Sequence, residues 1–112
     1  MAQQINEGWL PYTVNDVEHP GVLVQFQEAR LRARILPGGG TIPHQHSGTE
    51  IITIISGRGV LFKDGREIVL LPGLRERILP NIIHSIRNDL QETLEIEAVF
   101  DPPFDQQTTT FA

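Results

Sequence analysis

Cysteine is absent from the 112-residue sequence, which excludes disulfide scaffolds, zinc ribbons, thiol nucleophiles and iron–sulfur ligation. Basic charge is scarce: 9 Lys and Arg stand against 14 Asp and Glu, a formal net charge of −5. A generic nucleic-acid binder needs a basic face to meet phosphates, so no nucleic-acid partner is expected. No apolar run approaches the ~20 residues that a membrane span requires. The opening MAQQINEGWLPY carries neither the basic stretch nor the apolar segment of a secretory signal. A soluble, cytoplasmic protein without a membrane partner is the expectation. Helical periodicity is missing as well.

What the chain does have is turns and alternation. Ten Gly and eight Pro punctuate short runs of period two, the pattern of many short strands. Leu31, Ala33 and Ile35 alternate with Arg30, Arg32 and Arg34, and Leu94, Ile96, Ala98 and Phe100 alternate with Glu95 and Glu97. Ile51-Ile52-Thr53-Ile54-Ile55 is apolar on both faces and reads as a central, fully buried strand. Asp64-Gly65 between two apolar runs predicts a tight hairpin. Turn signals every 8–12 residues in such a pattern predict an all-β sandwich or barrel in a single domain, residues 1–112. The polar tract Gln106–Thr110 has little core potential, and residues 104–112 read as a tail.

Chemistry concentrates in two clusters. His44 and His46 are two residues apart, so on an extended segment both imidazoles project to one side. Ser47-Gly48-Thr49 can then turn Glu50 toward them, at the head of the most apolar strand, where a carboxylate needs a cation or a partner. The second cluster, Asn81 to Asn88, holds His84.

These residues resemble the cupin superfamily. Gly38, His44, His46, Glu50 and Gly57 match its first motif at every position. Gly73, His84 and Asn88 follow its second, with Leu79 and Asn81 in place of a proline and a glycine. Asn tolerates the left-handed conformation, so the turn at 81 is expected to survive. The resemblance spans about residues 29–103 and implies a double-stranded β-helix, or jelly roll. It further implies that His44, His46, Glu50 and His84 ligate one divalent metal ion. Such an N/O ligand set suits Fe, Mn, Ni, Co or Zn without selecting among them. Open coordination positions would receive a small-molecule substrate or ligand, with Glu50 as a candidate catalytic acid/base. Dioxygenase, isomerase and lyase chemistries all occur in the family, and a non-catalytic sensor with a structural metal is the alternative.

Other features read as scaffold. The Arg row of residues 30–34 is expected to pair with Glu95 and Glu97 as cross-strand charges. Ser85 lacks a nucleophile's companions, and Gly38-Gly39-Gly40 lacks the sequel of a phosphate loop. His19, before Pro20 in an irregular stretch, is expected to be exposed. Phe26, Phe62 and Ile86 are candidate pocket walls. The two-faced apolar strand at 51–55 needs cover on its outer side, which points to a homodimer or to the N-terminal segment 1–20 with Trp9 and Tyr12.

Overall fold

The computed structural model describes residues 8–27 and 29–112. Residues 1–7 of the N-terminal segment lie outside that range. Eleven strands follow in chain order: β1 (Leu10–Val14), β2 (Val17–Gln27), β3 (Arg30–Ile35), β4 (His44–Gln45), β5 (Thr49–Ser56), β6 (Gly59–Lys63), β7 (Arg66–Leu70), β8 (Arg75–Ile78), β9 (His84–Arg87), β10 (Leu94–Asp101) and β11 (Thr110–Phe111). They form two antiparallel sheets, ordered β1-β2-β3-β10-β5-β8 and β11-β4-β9-β6-β7. The pairings nest: β6 with β7, β5 with β8, β4 with β9, β3 with β10. A long hairpin folded over on itself in this way is a jelly roll. No helix among the described residues is long and apolar enough to cross a membrane.

Alternation builds the core directly. Leu31, Ala33, Ile35, Ile52, Ile54, Leu94, Ile96 and Ala98 are buried between the sheets, and each burial removes apolar area from water at roughly 25 cal/mol per Å². The hairpin between β6 and β7 turns on Asp64 and Gly65, both at positive φ (52° and 75°), as its dipeptide predicts. Asn81 adopts φ 62°, so this asparagine supplies the left-handed turn that the resemblance assigns to glycine.

The charge rows meet on the outside of β3 and β10. Arg30 pairs with Glu97 at 3.5 Å, and Arg32 and Arg34 reach Glu95 at 3.5 and 3.1 Å. The Arg34 guanidinium also lies 4.1 Å from the centre of the Trp9 ring. Trp9 and Tyr12 are thus buried within their own chain.

Three expectations need correction. β5 is central, between β10 and β8, but only one of its faces is fully buried. Ile52 and Ile54 are enclosed, whereas Ile51 is half-buried and Ile55 remains 39% exposed. A neighbouring strand satisfies the backbone, but it covers neither face.

His19 is not exposed; it is 1% accessible. Gly21, at φ 67°, interrupts the alternation of β2, so His19 before it and Val22 after it both end up buried. The 106–110 tract is not a loose tail. Asp105 caps a short 3-10 turn at Gln106–Thr108, Thr109 is buried, and β11 pairs with β4. Backbone hydrogen bonds recruit this segment, and side-chain hydropathy does not register them.

Candidate metal centre

The two sheets contribute different parts of the site. His44 on β4 and His84 on β9 stand opposite each other in register in the smaller sheet. His46 follows directly after β4, and Glu50 comes from β5 in the larger sheet. The ring centroids lie 4.3 Å apart for His44–His84, 4.9 Å for His46–His84 and 5.7 Å for His44–His46. Each ring offers a nitrogen within 4.8 Å of the others'. Glu50 Oε1 lies 2.9 Å from His46 Nε2 and 3.3 Å from His84 Nε2. All four side chains are buried.

Their tautomers follow from the backbone. Nδ1 of His44 donates to the Ile42 carbonyl (2.6 Å), Nδ1 of His46 to Gly48 (3.1 Å) and Nδ1 of His84 to Ile82 (2.8 Å). A carbonyl can only accept, so in each neutral ring the proton sits on Nδ1 and the Nε2 lone pair is free. His84 Nε2 has no hydrogen-bond partner despite its 3.3 Å approach to Glu50, and in the neutral ring it turns a lone pair on the carboxylate. Neutral His46 would likewise turn a lone pair on the Glu50 carboxylate at 2.9 Å. Something positive has to stand between them.

Without a metal, a proton on His46 fills that role. Burial works against it, but the hydrogen bond and charge of Glu50 win and raise the His46 pKa. Burial likewise opposes ionisation of Glu50, yet the His46 and His84 rings hold its pKa down at about 2. His44 is pushed down to about 4, first by burial and then by the neighbouring His84 ring. The donor set therefore fits a divalent cation: three imidazole lone pairs, one carboxylate, and backbone carbonyls orienting every ring.

A small cavity of about 30 Å³ opens beside the cluster, walled by Leu31, Ile86, Ile96, Phe100, Phe104 and Tyr12 among others. It holds roughly two water molecules, about the room that a two- or three-atom anion needs. A second cavity of about 200 Å³ shares His46, Phe100 and Phe104 with it and opens between Gly48 and Pro102.

Of the predicted wall residues, Ile86 lines the inner cavity. Phe26 is half exposed and packs against Tyr12 and Phe104. Phe62 faces a groove on the outside of the smaller sheet together with Ser85. Sequence reasoning missed His19 and Phe104. His19 stacks on Tyr12 at 4.7 Å and lies 5.8 Å from His44. The signal available for them was an aromatic after a Pro-Pro pair and a histidine inside a long strand.

The sequence profile described as Cupin domain (Cupin_2) matches residues 31–100, well over half of the chain. The chain belongs to the cupin family. It is 26% identical over 97 residues to the uncharacterised protein MJ1618 of Methanocaldococcus jannaschii, covering 86% of this chain and 78% of that one.

Among solved structures it resembles the cupin-2 domain Rru_A2000 of Rhodospirillum rubrum (TM-score 0.77, 17% identity, 93% of this chain and 74% of that one). It also resembles a predicted oxalate decarboxylase of Thermotoga maritima (TM-score 0.66, 21% identity, 85% and 94%). A third match is salicylate 1,2-dioxygenase of Pseudoaminobacter salicylatoxidans (TM-score 0.66, 14% identity, 82% and 24%). Likeness at these identities establishes the shared fold, which hosts unrelated activities.

Proposed function

We propose that this cupin binds one divalent metal ion through His44, His46, Glu50 and His84 and acts as a metal-dependent enzyme on a small anionic or carbonyl-bearing metabolite. The observation that carries the metal is the tautomer pattern: all three Nδ1 protons are given to carbonyls, leaving three buried Nε2 lone pairs beside one carboxylate. Three neutral imidazoles and one carboxylate leave net charge near +1 on a divalent ion, which favours an anionic oxygen in any open position. When bound, the metal supplies Lewis acidity or oxygen chemistry. Glu50, held near pKa 2, is better suited to binding a cation than to shuttling protons at neutral pH. Substrate chelation or oxygen chemistry is therefore favoured over proton shuttling by Glu50, with dioxygenase, isomerase and lyase types as the candidate classes.

Metal analysis of the purified or reconstituted protein is expected to find about one ion per chain, lost in His46→Ala. Protein that takes up no divalent metal after reconstitution overturns the reading. Oxygen uptake with β-diketones, flavonols or enediols separates a dioxygenase from a non-oxidative enzyme. The burial of all four candidate ligands supports a second reading, a ligand-binding or sensing cupin with a structural metal. Ligand binding that survives metal removal, without turnover of any candidate, would support it. A homodimer belongs to the same proposal, its support being the half-covered outer face of β5 with Ile55 exposed, and a cytoplasmic location is proposed with it on the sequence's lack of a visible signal segment.

A further inference from the structure

Besides the histidines and Glu50, Tyr12 and Thr41 are the two polar residues in the wall of the inner cavity among the described residues. Thr41 is anchored, its hydroxyl oxygen accepting the Ile86 N–H at 2.9 Å, which leaves its own O–H as a second, shorter-reaching donor. Tyr12 is held from behind: its ring stacks nearly flat on His19, interplanar angle 22°, and the Ile42 N–H donates to His19 Nδ1 at 2.8 Å. Burial, and then the charge of Glu50, push the Tyr12 hydroxyl above its ordinary pKa, so it is a neutral hydrogen-bond donor at any working pH. Tyr12 lies on β1, outside the residues 31–100 that define the family.

We propose that the Tyr12 hydroxyl donates a hydrogen bond to an anionic oxygen of the ligand, a small carboxylate or enolate, that enters the cavity beside His44, His46 and His84. This rests on the metal reading above. The cluster supplies positive charge to one side of the anion, and the Tyr12 and Thr41 hydroxyls are the donors in an otherwise apolar wall, Tyr12 being the one whose oxygen carries no other hydrogen bond among the described residues. A hydrogen bond to a charged oxygen in such surroundings is stronger than one between neutral groups, so a single donor can set affinity and orientation. The body of a ligand larger than a few atoms would lie in the adjoining 200 Å³ cavity, past Phe104.

The test uses the full chain loaded with cobalt(II) or zinc(II). Azide and formate serve as probes small enough for the cavity. Tyr12→Phe keeps the ring on His19 and removes only the hydroxyl. It is expected to weaken azide binding to the cobalt protein about tenfold while cobalt stoichiometry stays the same. Because Tyr12 is the only tyrosine in the sequence, 3-fluorotyrosine labelling yields one assignable fluorine resonance. That resonance in the zinc protein is expected to move saturably with azide or formate. It decides the matter alone if Tyr12→Phe does not fold. A purely structural role for the ring predicts unchanged azide affinity in Tyr12→Phe and an unmoved resonance, and either result overturns the proposal. Wild-type protein that binds cobalt and azide while the variant matches it rejects only the Tyr12 assignment. Wild-type protein that takes up no metal rejects the metal reading and this proposal together.

Discussion

The ligand cluster and the wall around it are built from different parts of the chain. His44, His46, Glu50 and His84 all fall within residues 31–100, on or beside strands that pair in the nested jelly-roll order. Tyr12, His19 and Phe104 come from segments on either side. These flanks are tied to each other, with Asn15 Nδ2 donating to the Gln106 carbonyl at 3.0 Å and the Asn15 N–H to its side chain at 3.2 Å. The difference separates two jobs. The strand framework carries the four candidate metal ligands, and the flanks supply Tyr12 and Phe104 to the cavity wall beside them.

The largest expected effect breaks the framework side. Metal at one hundred times its Kd should stabilise the wild-type fold by about 2.7 kcal/mol, and His46→Ala should abolish that increment. Urea unfolding with and without zinc measures it. A Gly57→Ala exchange, also in the framework, puts a Cβ against the Thr93 carbonyl at a residue with φ 81°. It should destabilise the protein by about 1–3 kcal/mol in the same assay.

Acid should probe both sides at once. His44 and His19 are each pushed down to about 4, chiefly by burial, so the unfolded chain binds protons that the native one refuses. Between pH 6.5 and 4 the stability of the metal-free protein should therefore fall as pH falls. The Glu50 contribution persists to lower pH, being lost only from its unfolded value near 4.5 down to about 2. His46 has the opposite sign: its raised pKa stabilises the metal-free fold below 6.5, and that contribution is lost as pH rises through the folded value. The same proton competes with a metal, so metal affinity should weaken on acidification from neutrality. His19→Asn should flatten the acid slope without changing metal stoichiometry, which would isolate the flank's share.

Smaller effects sharpen the flank side. Phe104→Ala should cost about 1–2 kcal/mol as a half-buried aromatic, leave metal content unchanged, and speed azide association by joining the two cavities. Arg32→Ala removes one exposed ion pair with Glu95 and should change stability by less than about 1 kcal/mol. If Phe104→Ala lost metal instead, the division between framework and flank would fail.

Much of this was legible in the linear chain because its physical basis is local. Period-two alternation sorts residues onto two faces, so Ile52 and Ile54 read as core, and the Arg row at 30–34 matches the Glu row at 95–97 by parity alone. The spacing of His44 and His46 puts both rings on one side of an extended strand, and Asp64-Gly65 marks its own turn. His19 was misjudged because one left-handed glycine, Gly21, shifted the parity of β2. The Gln106–Thr110 tract was misjudged because backbone pairing with β4, rather than hydropathy, holds it in place.

The sequence by itself determined the alternating core strands, the absence of any sulfur ligand other than methionine, and the close spacing of His44, His46 and Glu50, since composition and short spacings encode these directly, while His84 joined them only through the resemblance to cupins. The tertiary structure decided which lone pairs face the centre, because carbonyls of Ile42, Gly48 and Ile82 claim the other nitrogen of each ring. It also decided that Tyr12 and Phe104, 92 positions apart in the chain, share one cavity wall. No local pattern carries that fact; it arises only when the two ends of the chain pack over the same mouth.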